Sequence, residues 1–127
     1  MSALILDAGA FVAVDRGDRS MLTKLRVAQQ RGIALRSNAV VVAQVWRSGD
    51  GRQVSLARLL RGVDVATVDE ELGRRAGVLI GRARTSDPID ATLVLTAQPG
   101  DRILTGDPAD IGHLVTTAGV RVVVVSC

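Results

Sequence analysis

The sequence predicts an α/β fold, a central parallel sheet of about five strands with helices on both faces, and three observations predict it. Short apolar runs alternate with longer stretches of helical spacing along the whole chain, the order that βαβ units require. Ala3-Leu4-Ile5-Leu6 is apolar at every position, as a strand covered on both faces must be. That run breaks into Asp7, and the strand-like Arg102 to Thr105 breaks into Gly106-Asp107. Acids therefore stand at the carboxyl ends of strands, the edge where open α/β sheets bind ligands.

In chain order, Asp7 to Val14 reads as a short helix and Ser20 to Arg31 as a second, with Met21, Leu22, Leu25 and Ala28 at helical spacing and Gly32 ending it. Ile33 to Leu35 is a short strand, and Ser37-Asn38 caps a third helix reaching Arg47. Gly49-Asp50-Gly51 is a turn. Val54 to Leu60 is a fourth helix with Arg52, Arg58 and Arg61 on its polar side, and Val63 to Val68 alternates as a strand does. Asp69-Glu70-Glu71 opens a helix to about Arg84, its acids matched to the positive end of the dipole. Ala91 to Ala97 is a buried helix opened by Asp87 and Asp90 and ended by Pro99-Gly100. Arg102 to Thr105 is a strand, Gly106 a sharp turn, Asp107 to Ala118 a helix ended by Gly119, and Val120 to Val125 the last strand, with Ser126 and Cys127 beyond it.

The composition bounds the function. The 127 residues, 47% hydrophobic and 23% charged, suit one globular domain spanning residues 1–127 with a real core. No apolar stretch reaches the ~18 residues that span a bilayer, and the segment before Asp7 is too short for a signal peptide, so the expected location is cytoplasmic. Cys127 is the single cysteine, which leaves no disulfide framework and no cysteine metal site. A net charge of +3, with Lys24 the only lysine among the basic residues, is compatible with a phosphate-rich partner without demanding one. Phe11 and Trp46 are the only aromatics, so a bound nucleic acid is expected to be held mainly by its backbone.

The stretch Ser86 to Asp110 concentrates the chemistry. Asp87, Asp90 and Asp107 each also read as helix N-caps, for which Asp is well suited. Asp7, at the end of a neighbouring strand, is the partner that gives the group a second meaning. Carboxylates gathered in a partly dry cleft repel one another, and a divalent cation relieves the repulsion. Hard oxygen ligands from Asp suit Mg²⁺ or Mn²⁺.

Four segments then carry a resemblance: Leu6-Asp7-Ala8-Gly9, Val42-Ala43-Gln44-Val45-Trp46-Arg47, Ser86-Asp87-Pro88-Ile89-Asp90-Ala91 and Thr105-Gly106-Asp107-Pro108-Ala109-Asp110. In this order and spacing the chain resembles the PIN-domain ribonucleases, and among them the VapC-type toxins of bacterial toxin–antitoxin systems. The resemblance implies a PIN-like three-layer α/β/α sandwich and a Mg²⁺-dependent endoribonuclease. It implies Asp7, Asp90 and Asp107 as metal ligands with Asp87 or Asp110 as auxiliaries, and Thr105 as the hydroxyl that supports the last of the trio. Arg47 is the first candidate to clamp a flanking phosphate. The implied partners are an RNA substrate, a small antitoxin protein and a second copy of the chain in a homodimer.

One departure matters. Where the family places a Glu in the third helix, this chain has Gln44, and its only glutamates, Glu70 and Glu71, fall on another element. An amide can orient water but carries no charge and is a poor base. The alternative is therefore a catalytically weakened PIN-like module that binds RNA or protein. Other folds with acids at strand ends fit less well: a phospho-receiver or a haloacid-dehalogenase-type phosphatase needs a lysine that Lys24 does not supply, and no phosphate-loop motif is present. His113, with no Ser, Cys or His partner in its motif, reads as a structural histidine rather than a general base.

Overall fold

The computed structural model describes residues 2–49 and 51–127. Its elements run β1 (Ala3–Leu6), α1 (Ala8–Asp15), α2 (Arg19–Gln30), β2 (Ala34–Asn38), α3 (Ala39–Val45), α4 (Val54–Leu60), β3 (Val63–Ala66), α5 (Glu70–Ala83), α6 (Pro88–Thr96), β4 (Arg102–Thr105), α7 (Pro108–Ala118) and β5 (Val123–Ser126). The five strands form one all-parallel sheet in the order β3-β2-β1-β4-β5.

This order makes β1 the pivot. The chain first winds outward from β1 through β2 to β3, then returns to the other side of β1 for β4 and β5. Right-handed crossovers in opposite directions put their helices on opposite faces. Accordingly α2, α3 and α4 gather round α1, while α5, α6 and α7 pack on one another. The junction between β1 and β4 is the point where the winding reverses, the position at whose carboxyl edge open α/β sheets bind ligands. Apolar side chains fill both layers: Ile5, Leu6, Phe11, Leu25, Leu35, Leu56, Leu93, Ile103, Leu104 and Ile111 are fully buried.

At the opposite edge of the sheet, Asp101 acts as a fastener. Its carboxylate, 3% exposed, accepts the N–H of Ala3 at 2.8 Å and that of Gln98 at 2.8 Å. The start of β1 is thereby tied to the turn that feeds β4, with Arg36 at 3.8 Å as its cation.

Several boundaries differ from the sequence expectation for identifiable reasons. The strand expected at Ile33–Leu35 extends to Asn38, because the polar residues at its end find partners inside. Ser37 donates to the Leu6 carbonyl at 2.8 Å, and Asn38 donates to Thr92 and Thr96 of α6 while capping α3. Helix α6 begins at Pro88, since Asp87 caps it and proline needs no N–H donor in the first turn. The last strand starts at Val123 and takes in Ser126, which pairs with Thr105. Gly106 does not adopt a left-handed turn. The tight glycine is Gly9, where a Cβ would lie 3.2 Å from the Gly106 nitrogen and 3.3 Å from the Cys127 sulfur. Of the turn expected at Gly49-Asp50-Gly51, Asp50 lies outside the described residues, and Gly51 has a positive φ of 86°.

Candidate active site

The site is built on the β1–β4 junction. Register sets Leu6 beside Leu104, and the Asp7 N–H continues the ladder by donating to the Leu104 carbonyl at 3.0 Å. Asp7 therefore comes level with Thr105. Both are buried, Asp7 at 7% and Thr105 at 0% exposure. The Thr105 hydroxyl donates to one Asp7 carboxylate oxygen at 2.7 Å and accepts the backbone N–H of Asp107 at 2.9 Å. The other Asp7 oxygen accepts the Ala8 N–H at 2.7 Å as the cap of α1. One hydroxyl thus couples the acid at the end of β1 to the acid that opens α7.

The remaining acids arrive on helix starts. Asp87 caps α6, accepting from Ile89 and Asp90 at 3.0 and 3.1 Å, and Asp107 caps α7, accepting from Asp110 at 3.4 Å. The cap reading of Asp87 and Asp107 is therefore correct as far as it goes. Asp90 is different: it sits in the first turn of α6 rather than at its cap. It accepts no side-chain hydrogen bond and makes no ion pair among the described residues.

Electrostatics single out Asp90. Burial, then the charges of Asp87, Asp7, Asp107 and Asp110, raise its pKa from 3.8 to about 7. Every contribution acts in the same direction. Asp110 is also raised, first by its side-chain hydrogen bond to Asp107 and then by that neighbour's charge, with His113 opposing. None of the five carboxylates is ion-paired among the described residues, although fifteen arginines are present in the chain.

The other candidates sit on or just after α3, on α7 and just after β5. Gln44 lies in the last turn of α3, and its Oε1 is buried without a hydrogen-bond partner, which costs roughly 1–3 kcal/mol in a folded protein. Arg47 is exposed and lies beyond α3, which ends at Val45 rather than reaching Arg47 as expected; its side chain bends back to donate to the carbonyls of Ala43 and Trp46 at 3.0 and 2.9 Å. His113 donates through Nε2 to the Ala83 carbonyl at 2.7 Å, tying α7 to the end of α5, as a structural histidine does. Cys127 lies one residue past β5, as the sequence suggests, yet it stays attached to the sheet. Its N–H bonds the Thr105 carbonyl at 2.9 Å. Burial and then the Asp7 charge push its thiol pKa up, with Lys24 opposing. No sequence signal marked this position, because it depends on the register of β5 against β4.

Among the described residues no three His, Cys, Asp or Glu side chains stand close enough to form a finished metal cage. The donor chemistry nevertheless fits a hard divalent cation. Among the described residues Asp90 has no hydrogen-bond partner, and the charges that act on it are those of carboxylates, the hard oxygen donors that such a cation takes.

No family model matches this sequence, and no curated protein matches it. The backbone has clear counterparts among solved structures. A chain in the crystal structure of VapBC2 from Rickettsia felis bound to a DNA fragment from their promoter superposes with a TM-score of 0.71, covering 98% of each chain at 10% identity. A chain in the structure of FitAB bound to an IR36 DNA fragment gives 0.62, covering 95% of this chain and 94% of that one at 15% identity. The fold is PIN-like. At these identities the likeness is one of architecture, and it reaches from one end of the chain to the other.

Proposed function

We propose that this protein is a metal-dependent endoribonuclease of the PIN type and the toxin of a toxin–antitoxin pair. The observation that carries the reading is the group of five unpaired carboxylates at the point where the sheet's winding reverses, with the Thr105 hydroxyl bridging Asp7 to the backbone of Asp107. Asp7, Asp90 and Asp107 would hold Mg²⁺ or Mn²⁺, with Asp87 and Asp110 adding negative charge nearby. When bound, such a cation lowers the pKa of water and offsets charge on a phosphodiester undergoing hydrolysis. The chain's own contribution is to hold the carboxylates in place. Both oxygens of Asp7 are fixed by hydrogen bonds, yet each keeps a lone pair for a ligand. Gln44, with its unfilled acceptor, would orient a water or a substrate hydroxyl. The fold shared with the VapBC2 and FitAB chains supports an antitoxin protein as the partner; a homodimer and a cytoplasmic setting belong to the same reading.

A second reading is favoured by one specific feature. Gln44 stands where the resemblance calls for a carboxylate, and a site lacking that charge suits a PIN-like module that binds RNA or protein without cutting it. Incubating purified protein with total RNA in Mg²⁺ or Mn²⁺, beside Asp7→Asn and Gln44→Glu, separates the two. Cutting that disappears in Asp7→Asn supports the nuclease. Cutting by Gln44→Glu alone supports the disabled module, and no cutting by any of the three removes the ribonuclease reading.

A further inference from the structure

We propose that a pocket at the far end of α1, walled by Trp46 and by Arg58 and Arg61, seats one unpaired base of the RNA strand with its adjoining phosphate; this rests on the ribonuclease reading of the carboxylate edge. The pocket has a volume of about 420 Å³, within the range of small-ligand sites. Trp46 is 37% exposed, whereas Phe11, the other aromatic, is completely buried. An indole left open to solvent beside a cavity offers a face on which a base can stack. Arg58 and Arg61 are three residues apart at the end of α4 and so share one side of it. Neither makes an ion pair or hydrogen bond among the described residues, and no described residue lining the pocket is acidic. Two uncommitted guanidiniums suit the bidentate recognition of a phosphate.

The wall is held rigid from beneath. Gln53, buried, accepts the N–H groups of Arg47 and Ser48 at 2.9 and 3.2 Å and donates to the Val45 carbonyl at 3.0 Å and to Asp15 at 3.1 Å. All of its polar capacity is spent on fixing the chain on either side of Trp46 and docking it to the end of α1. The same contact places the pocket relative to the acids. Asp15 closes α1 and Asp7 caps its start, so the two sites lie about one eight-residue helix apart, roughly 12 Å at 1.5 Å per residue. Gln44 precedes Trp46 by two residues on α3. A single strand crossing the acidic edge would have to span that distance to seat a base in the pocket. One aromatic makes one subsite, which agrees with a strand held mainly by its phosphates.

The chain has a single Trp and no Tyr, so its intrinsic fluorescence reports on this pocket alone. The parent protein in EDTA is titrated with an unstructured oligouridylate RNA, fluorescence and the anisotropy of labelled RNA being followed together. Saturable quenching that tracks binding and weakens with salt is expected. Trp46→Leu is expected to lower affinity fivefold to a hundredfold, and Arg58→Ala with Arg61→Ala tenfold or more. These residues are solvent-facing, and circular dichroism verifies that the variants fold. RNA binding without quenching, or no RNA binding, overturns the proposal. Equal quenching by polyglutamate would mark a groove for an acidic protein segment, and equal quenching by polyphosphate would remove the base; either overturns it. Cleavage by the same protein in Mg²⁺ is scored separately: cutting without quenching refutes the pocket alone, while quenching without cutting supports the pocket and refutes the nuclease.

Discussion

Replacing Thr105 by valine removes one oxygen from the centre of the candidate site and leaves its shape almost unchanged. Two hydrogen bonds go with it. The first, 2.7 Å to Asp7, reaches a carboxylate that is 7% exposed, and a bond to a charged group contributes roughly 1.5–3 kcal/mol. The second, from the Asp107 N–H at 2.9 Å, is only partly shielded, so water replaces it at a cost of about 0.5–1 kcal/mol. The expected loss is therefore about 2–4 kcal/mol, a large fraction of the 5–15 kcal/mol typical of a domain. Thr105→Ser keeps the hydroxyl and gives up one methyl, about 1 kcal/mol. Urea unfolding in EDTA measures both. A valine variant within 1 kcal/mol of the parent, or a serine variant less stable than the valine one, would refute the claim that this hydroxyl joins β1 to the start of α7. On the ribonuclease reading, Thr105→Val should also slow cleavage while Thr105→Ser largely retains it.

Four further outcomes are expected. Because the Asp90 pKa is raised to about 7 in the folded chain, the folded state binds a proton more tightly than the unfolded one, and stability falls as pH rises from about 4 through 7. Full displacement would be worth about 4 kcal/mol at 1.36 kcal/mol per pH unit; for a partly solvated carboxyl about 1–2 kcal/mol is expected. Urea midpoints between pH 5 and 8 measure it, and Asp90→Asn should flatten the profile. Proton and cation compete for that carboxyl, so Mg²⁺ affinity measured by calorimetry should climb towards pH 7 and level off above it. Gln44→Leu removes a buried acceptor that has no partner and should leave stability unchanged or raised by about 1 kcal/mol, while cleavage falls; a large loss of stability would show that the amide is structural. Asp101→Ala strands the buried N–H of Ala3 and frees the part-buried N–H of Gln98 at the other edge, and should cost roughly 1–3 kcal/mol in urea unfolding, with metal affinity of the folded protein unaffected.

The strands and helices were legible where sequence pattern and packing agree. The apolar run of β1, the bounds of α4 and β4, and the glycine that ends α7 with a φ of 70° all follow from local chemistry. The sequence was less informative where polar residues continue a strand. Ser37-Asn38 reads as the cap of α3, which Asn38 is, and only partners in β1, β3 and α6 keep Arg36, Ser37 and Asn38 in β2 as well. The same limit applies to the site. Acids at the ends of β1 and β4 could be placed from the strand breaks, but the level pairing of Asp7 with Thr105 depends on register, and so does the return of Cys127 to the Thr105 carbonyl. Trp46 and Arg58 lie twelve positions apart, and nothing local in the sequence joins them; Gln53 brings their segments together from below.

Helix capping and cation binding make different demands on an acid, and this separates the five carboxylates. A cap needs one oxygen directed at the helix's own N–H groups, as Asp87 and Asp107 provide, and such a residue is explained without any ligand. Asp7 caps too, but it is buried and also takes the Thr105 hydroxyl, an arrangement that keeps a charge in place at the end of a central strand. Asp90 has neither use. Among the described residues it accepts no N–H and pairs with no cation, and burial together with four other acids pushes it towards neutrality. A folded chain gains nothing internal from a carboxyl so placed, and replacing it with asparagine should make the metal-free protein more stable above pH 7. A residue whose removal stabilises the fold points to an external demand, and the demand that fits an uncompensated carboxyl among carboxylates is a divalent cation. Asp90→Asn therefore offers the sharpest contrast: greater stability in EDTA together with loss of Mg²⁺ binding. If the variant were less stable at pH 8, Asp90 would have a structural role, and the case for it as a ligand would rest on the sequence resemblance alone.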